Sequence, residues 1–179
     1  TNKNVILRES LLIPGEVFDS RRLEATQMRL ESIGYFKSVN VYAVKTPEDQ
    51  QLGENYRDVI IEVQETTTGN LSLFFGFSTM DNLFGGLDLA ENNFNHRGLT
   101  KWWREGFSSL RGAGEYAQAR LQIGRRQQSY TISWMNPYFN DSKWRFGFDL
   151  NYSKNQLQSD DYSVDTIGGS IFGSYPITA

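Results

Sequence analysis

The chain has 179 residues, with 18 lysines and arginines against 21 aspartates and glutamates, a net charge of −3. That near balance argues against a nucleic-acid partner, which calls for a strong basic footprint. With no cysteine and one histidine, His96, a disulfide scaffold, a thiolate metal site, a cysteine nucleophile and a His-rich metal centre are all excluded.

The composition is uneven along the chain. Residues 1–66 hold 5 of the 25 aromatic residues, 3 of the 16 glycines and 19 of the 39 charged residues, and no tryptophan. Residues 67–179 hold the other 20 aromatics, 13 glycines and a balanced 10 acids and 10 bases. A boundary is therefore expected between Thr66 and Asn70, with one domain over 1–66 and a second over 67–179. No apolar run reaches the ~18 residues of a membrane helix. Transmembrane strands, which alternate with period 2, give only a weak hydropathy signal and stay open as a possibility. The opening Thr1-Asn-Lys-Asn4 has no initiator methionine, so the chain is expected to be a piece of a longer protein.

In chain order, Val5 to Leu12 fits a short helix that ends before Pro14-Gly15. A second helix is expected from an N-cap at Asp19 or Ser20, with Leu23, Leu30 and Ile33 on one face and Gly34 as its stop. Phe36 to Val44 alternates, with Val39, Val41 and Ala43 on one side, and Asp58 to Glu65 repeats the pattern with Val59, Ile61 and Val63. A polar loop from Thr46 to Arg57 joins the two. Two helices and two strands make a thin core, so a partner strand is expected before Thr1. The charges of this segment read as a solvated face, and they form no catalytic constellation.

From Gly69 onward the period is 2. Alternating runs centre on Leu71–Phe77, Leu87–Leu89, Ala117–Ile123, Tyr130–Trp134, Trp144–Tyr152 and Ile167–Tyr175, which predicts six strands. A soluble antiparallel sandwich and a membrane barrel both alternate in this way. The barrel is favoured by strand length and by a polar face of Ser, Gly, Asn, Gln and Thr rather than Lys and Glu. It is also favoured by aromatics at strand ends: Phe94, Trp102, Trp103, Tyr138, Phe139 and Trp144 suit girdles at the two membrane interfaces. Within the strand from Lys143 to Ser153, Phe146 is expected at the lipid midplane and Asp149 on the lumen side.

Thr100 to Leu110 breaks the alternation and reads as an amphipathic helix with Trp103, Phe107 and Leu110 on one face. With His96, Arg97, Lys101, Arg104 and Arg111 around it, it suits either a helix lying among lipid headgroups or a connector packed on the barrel end. His96 reads as a surface residue and the pair Asp160-Asp161 as part of a solvated loop.

Leu30-Glu-Ser-Ile-Gly-Tyr-Phe-Lys-Ser-Val39 followed by Asp58-Val-Ile-Ile-Glu-Val-Gln-Glu65 resembles the end of a POTRA domain, a β-α-α-β-β module of the BamA family. Thr68-Gly69 running into Phe75-Gly-Phe-Ser78, then Glu91-Asn-Asn-Phe-Asn95 and Gly98, resembles the entry to the BamA-type barrel. Asn136-Pro-Tyr-Phe139 and Tyr175-Pro-Ile177 resemble ends of later barrel strands, and Thr100 to Leu110 departs from the compact turn expected there.

The resemblance implies an α+β POTRA module, its first strand missing, followed by about six antiparallel transmembrane strands of a partial barrel. It implies a non-enzymatic assembly factor, working without ATP or cofactor, that inserts β-barrel proteins into the outer membrane from a periplasmic module. Its implied partners are nascent outer-membrane barrel proteins, accessory lipoproteins and outer-membrane lipid. It also implies that the first strand, Gly69, Asn70, Leu71, Ser72, Leu73, Phe74, Phe75, Gly76, Phe77 and Ser78, is the edge that pairs with substrate strands. Trp102, Trp103, Phe107, Tyr138, Phe139 and Trp144 are the expected membrane-interface aromatics. A related POTRA-barrel secretion protein and a soluble periplasmic β-sandwich binding module are the alternatives.

Overall fold

A computed structural model describes residues 1–45, 57–79, 82–156 and 162–177. The expected polar loop before Arg57 and the pair Asp160-Asp161 thus fall outside the described residues. The chain divides into two compact units, Thr1–Thr68 and Gly69–Ala179.

In the first unit, helix α1 spans Lys3–Glu9 and α2 spans Ser20–Ser32, followed by strands β1 (Phe36–Val44) and β2 (Asp58–Glu65). The two strands pair antiparallel, with Val39 opposite Val63 and Val41 opposite Ile61. Asp19 caps α2 by accepting from the Arg21 amide, and Gly34 takes φ +74° just past its end. Helix α1 stops earlier than expected, at Glu9 rather than Leu12. The reason lies in the next two amides: Leu11 N–H donates to Thr26 Oγ1 at 3.0 Å, and Leu12 N–H donates to Ser10 Oγ at 3.2 Å. Side-chain acceptors thereby replace the helical carbonyls. Leu30, fully buried, packs with Phe36, Val39 and Val41, and Leu23, Ile33, Val59, Ile61 and Val63 close around them.

The second unit is one six-stranded antiparallel meander in sequence order: β3 (Gly69–Ser78), β4 (Asn82–Phe94), β5 (Glu115–Gly124), β6 (Gln127–Asn136), β7 (Arg145–Asn155) and β8 (Val164–Ser174). Every pairing joins neighbours in the chain and is antiparallel.

The register sorts residues onto two faces. One row across the sheet reads Leu71, Leu89, Ala119, Ile132, Leu150 and Gly169. The adjacent row on the opposite face reads Ser72, Asp88, Arg120, Thr131, Asn151 and Gly168. There Arg120 Nε donates to Asp88 Oδ2 at 2.9 Å, and Gln118 Nε2 donates to Asp88 Oδ1 at 2.8 Å. The soluble sandwich is not what forms: among the described residues the six strands make one sheet, whose apolar face keeps Leu71, Leu89, Ile132 and Leu150 exposed. A face of that composition is matched to hydrocarbon rather than to water.

Glycines set the fit of the first hairpin on the polar face. Phe74 stands directly opposite Gly86, and Phe84 directly opposite Gly76. A Cβ at either glycine would come 2.3 Å from the facing phenyl ring. Each ring therefore covers the glycine across from it, which pins the register.

Candidate functional site

Two features of the second unit carry chemistry or recognition. The first is the β3 edge. Gly69 to Ser78 pairs with β4 on one side and, among the described residues, with nothing on the other. Leu71, Leu73, Phe75 and Phe77 all project from the apolar face and are exposed. In an antiparallel ladder alternate residues turn their N–H and C=O away from the partner, so the side of β3 away from β4 carries such a row of groups for a further strand. No proline or charge interrupts the strand, so the usual devices that blunt an edge are missing.

The second feature lies at the end of the sheet where the chain enters β3. The connections β4–β5 (95–114) and β6–β7 (137–144) both fall there. Trp102, Trp103, Phe107, Tyr138, Phe139 and Trp144 consequently gather at one end of the sheet. Phe139 meets Phe146 at 5.2 Å between ring centroids, and Trp144 meets Tyr175 at 5.3 Å. The expectation of girdles at both ends is corrected for Phe94, Trp102, Trp103, Tyr138, Phe139 and Trp144: β4 and β6 run in the same direction, so their ends and the connections that follow lie on one side.

The amphipathic helix expected over Thr100 to Leu110 is also corrected. Residues 96–110 form three separate short turns: His96–Thr100, Trp102–Glu105 and Phe107–Leu110. Gly106, at φ +74°, breaks the last two apart, so Trp103 and Phe107 do not share a helical face. Trp102 instead stacks edge-on against Trp103 at 5.1 Å and lies 5.9 Å from Phe107.

These turns are fastened to the sheet through a residue the sequence did not single out. Glu115, the first residue of β5, is 2% exposed. Its Oε2 accepts from the His96 amide and from Trp134 Nε1, both at 3.0 Å, and its Oε1 accepts from Asn136 Nδ2 at 3.3 Å. His96 Nδ1 lies 2.6 Å from Oε1, within hydrogen-bond distance. His96 is exposed, as expected of a surface residue, and also acts as a clasp, its ring edge-on to Trp134 at 5.8 Å. The one available signal was a glutamate at the outward parity of a strand whose other outward residues, Ala117, Ala119, Leu121 and Ile123, are apolar.

Comparison with known proteins agrees with this architecture. The Omp85 superfamily domain matches residues 109–179, and a POTRA family described as a surface antigen variable number repeat matches residues 1–66. The two matches in this order, with the relatives below, support a BamA-type fragment. The outer membrane protein assembly factor BamA of Nitratidesulfovibrio vulgaris is 28% identical over 99% of the chain and 20% of its own length. BamA of Neisseria meningitidis is 24% identical over 99% of the chain and 20% of its own length. The crystal structure of Haemophilus ducreyi BamA lacking POTRA domains 1–3 superposes with a TM-score of 0.70 at 16% identity, over 96% of this chain and 29% of that one. The chain thus spans about one fifth of the length of the curated relatives it matches. The first unit is a periplasmic POTRA module, and the six strands are an open portion of an outer-membrane barrel. The aromatic end of the sheet, where the chain arrives from the module, is accordingly its periplasmic end.

Proposed function

We propose that the protein containing this chain folds and inserts β-barrel proteins into the outer membrane, and that the β3 edge is the template on which a client strand pairs. The POTRA module would receive the client in the periplasm together with accessory lipoproteins of the assembly machinery. The observation that carries the reading is the combination at β3: ten residues without charge or proline, forming the first strand after the α/β unit. In hydrocarbon each unsatisfied backbone group costs several kcal/mol, so such an edge is driven to pair. A seam that opens transiently offers that drive to an incoming strand, which is β-augmentation. The names of the related assembly factors support the same activity.

These 179 residues hold no cysteine, and single cysteines at Leu71, Ser72 and Leu73 are introduced into full-length protein from which any cysteine elsewhere has been removed. Each is expected to cross-link to a cysteine in the terminal strand of a stalled client barrel in a register-specific ladder. Equal cross-linking from Leu150→Cys on β7, or none from the three β3 positions, would overturn the template.

A further inference from the structure

We propose that the turns from His96 to Leu110 form a binding surface for anionic phospholipid headgroups in the periplasmic leaflet. The inference rests on the barrel's placement in the outer membrane and is independent of how clients are paired.

Three observations converge on it. The first is position: the turns join β4 to β5 at the periplasmic end of the sheet, beside the apolar face, which is the depth at which headgroups lie. The second is chemistry. Trp103 and Phe107 are 82% and 76% exposed, and Leu99 beside them is exposed as well. Arg97, Lys101 and Arg104 rise from the same turns and make no ion pair among the described residues. Arg111 and Arg120 of the same unit, by contrast, are held by Glu91 and Asp88. Tryptophan flanked by unmatched cations is the side-chain set that prefers a headgroup layer with net negative charge.

The third is that the surface is built rather than loose. The Glu115 clasp holds its start at His96. Asn95 donates from its amide to Leu110 O at 2.8 Å and from Nδ2 to Ser109 O at 3.0 Å. Gly98 lies so close to the returning chain that a Cβ there would sit 1.9 Å from Ser109 O. The aromatic and cationic side chains are thereby presented from a backbone already ordered, so little conformational entropy is lost on binding. A soluble protein partner would satisfy the apolar side chains equally well. The unmatched positive charge, with Glu105 as the sole acid between His96 and Arg111, favours the anionic membrane surface.

Three cations beside an anionic surface support enrichment on the order of a hundredfold. The test places full-length protein in phosphatidylcholine bilayers with a minor fraction of phosphatidylglycerol, carrying bromine on either the anionic or the zwitterionic lipid. The Trp102/Trp103 signal is isolated by subtracting the W102F/W103F variant. It is expected to be quenched several-fold more by brominated phosphatidylglycerol than by brominated phosphatidylcholine at equal fraction. R97Q/K101Q/R104Q is expected to equalise the two while keeping the heat-resistant electrophoretic mobility of a folded barrel. Where the triple variant does not fold, single R97Q, K101Q and R104Q variants are each expected to lose part of the preference. Equal quenching in the parent protein, a preference that survives the glutamine substitutions, or quenching by aqueous iodide in place of either lipid would overturn the proposal.

Discussion

The Nδ1 atom of His96 lies 2.6 Å from Oε1 of Glu115, across 19 residues of chain and on the apolar side of the sheet. A nearly buried carboxylate on that side is sustained only by its donors, because removing an ion from water without partners costs several kcal/mol. His96, Trp134 and Asn136 supply them from the connection and from β6. The pair therefore couples the order of a surface connection to the integrity of two barrel strands.

Removing that acceptor should free the connection. Glu115→Ala strands the Trp134 indole N–H and the His96 amide, each at about 1–3 kcal/mol for a buried unsatisfied group. Glu115→Gln keeps one acceptor oxygen and should lose less. Trypsin added from the periplasmic side is expected to cut after Arg97, Lys101 or Arg104 much faster in the alanine variant than in the parent, with the glutamine variant between them. Identical cleavage in all three would dissociate the clasp from the order of the turns.

The first hairpin should be sensitive to volume at one glycine and more tolerant at the other. A Cβ at Gly86 would meet both the Phe74 ring at 2.3 Å and the Leu121 carbonyl oxygen at 2.4 Å, and a backbone atom cannot swing aside. At Gly76 the nearest atoms belong to the Phe84 ring alone, which can rotate away. Gly86→Val should therefore abolish or shift β3–β4 pairing, whereas Gly76→Ala should fold with a modest loss. Disulfide trapping between cysteines introduced at the opposed positions Leu71 and Leu89 reads the register directly.

In the POTRA module, Leu30→Ala empties the centre of the core. For a leucine with no exposure, the loss is expected at about 2–5 kcal/mol. Chemical denaturation of the full-length protein, followed by proteolysis of the module, should show that domain melting first while the barrel mobility is retained. Simultaneous loss of both would contradict two separate compact units.

What was legible in the sequence follows from which interactions are periodic. The bounds of β1 and β2 and the Asp19 cap of α2 could be read because alternation, a capping aspartate and a glycine stop are local signals. The two-faced alternation likewise located all six sheet strands. The end of α1 could not be read, since it depends on Thr26 Oγ1, reached from another helix. The Glu115 clasp was equally hidden: its donors come from residues 96, 134 and 136, and only the strand register brings them together. The turns after His96 were misread as one helix because the 3.6-residue spacing of Trp103, Phe107 and Leu110 ignores a positive φ at Gly106.

The same register revises which residue probes the membrane midplane. Phe146 has the outward parity, but it is the second residue of β7, opposite Asn136, and packs on Phe139 at the periplasmic end. An arginine there can extend its head into the interface, so Phe146→Arg should lose mainly ring packing. Leu150 is the sixth of the eleven residues of β7, exposed on the apolar face between Ile132 and Gly169. A cation at that depth costs about 2–4 kcal/mol in a transmembrane strand, against about 0–1 kcal/mol near an interface. Leu150→Arg is therefore expected to reduce the folded fraction of full-length protein well below that of Phe146→Arg. Asp149→Asn, one residue away on the polar face, should be tolerated, because its side-chain oxygen can still accept from Ser170 Oγ. Heat-modifiable mobility after refolding into lipid bilayers ranks the three. If Leu150→Arg folds as well as Asp149→Asn, the outward face of this sheet is not the one that meets hydrocarbon.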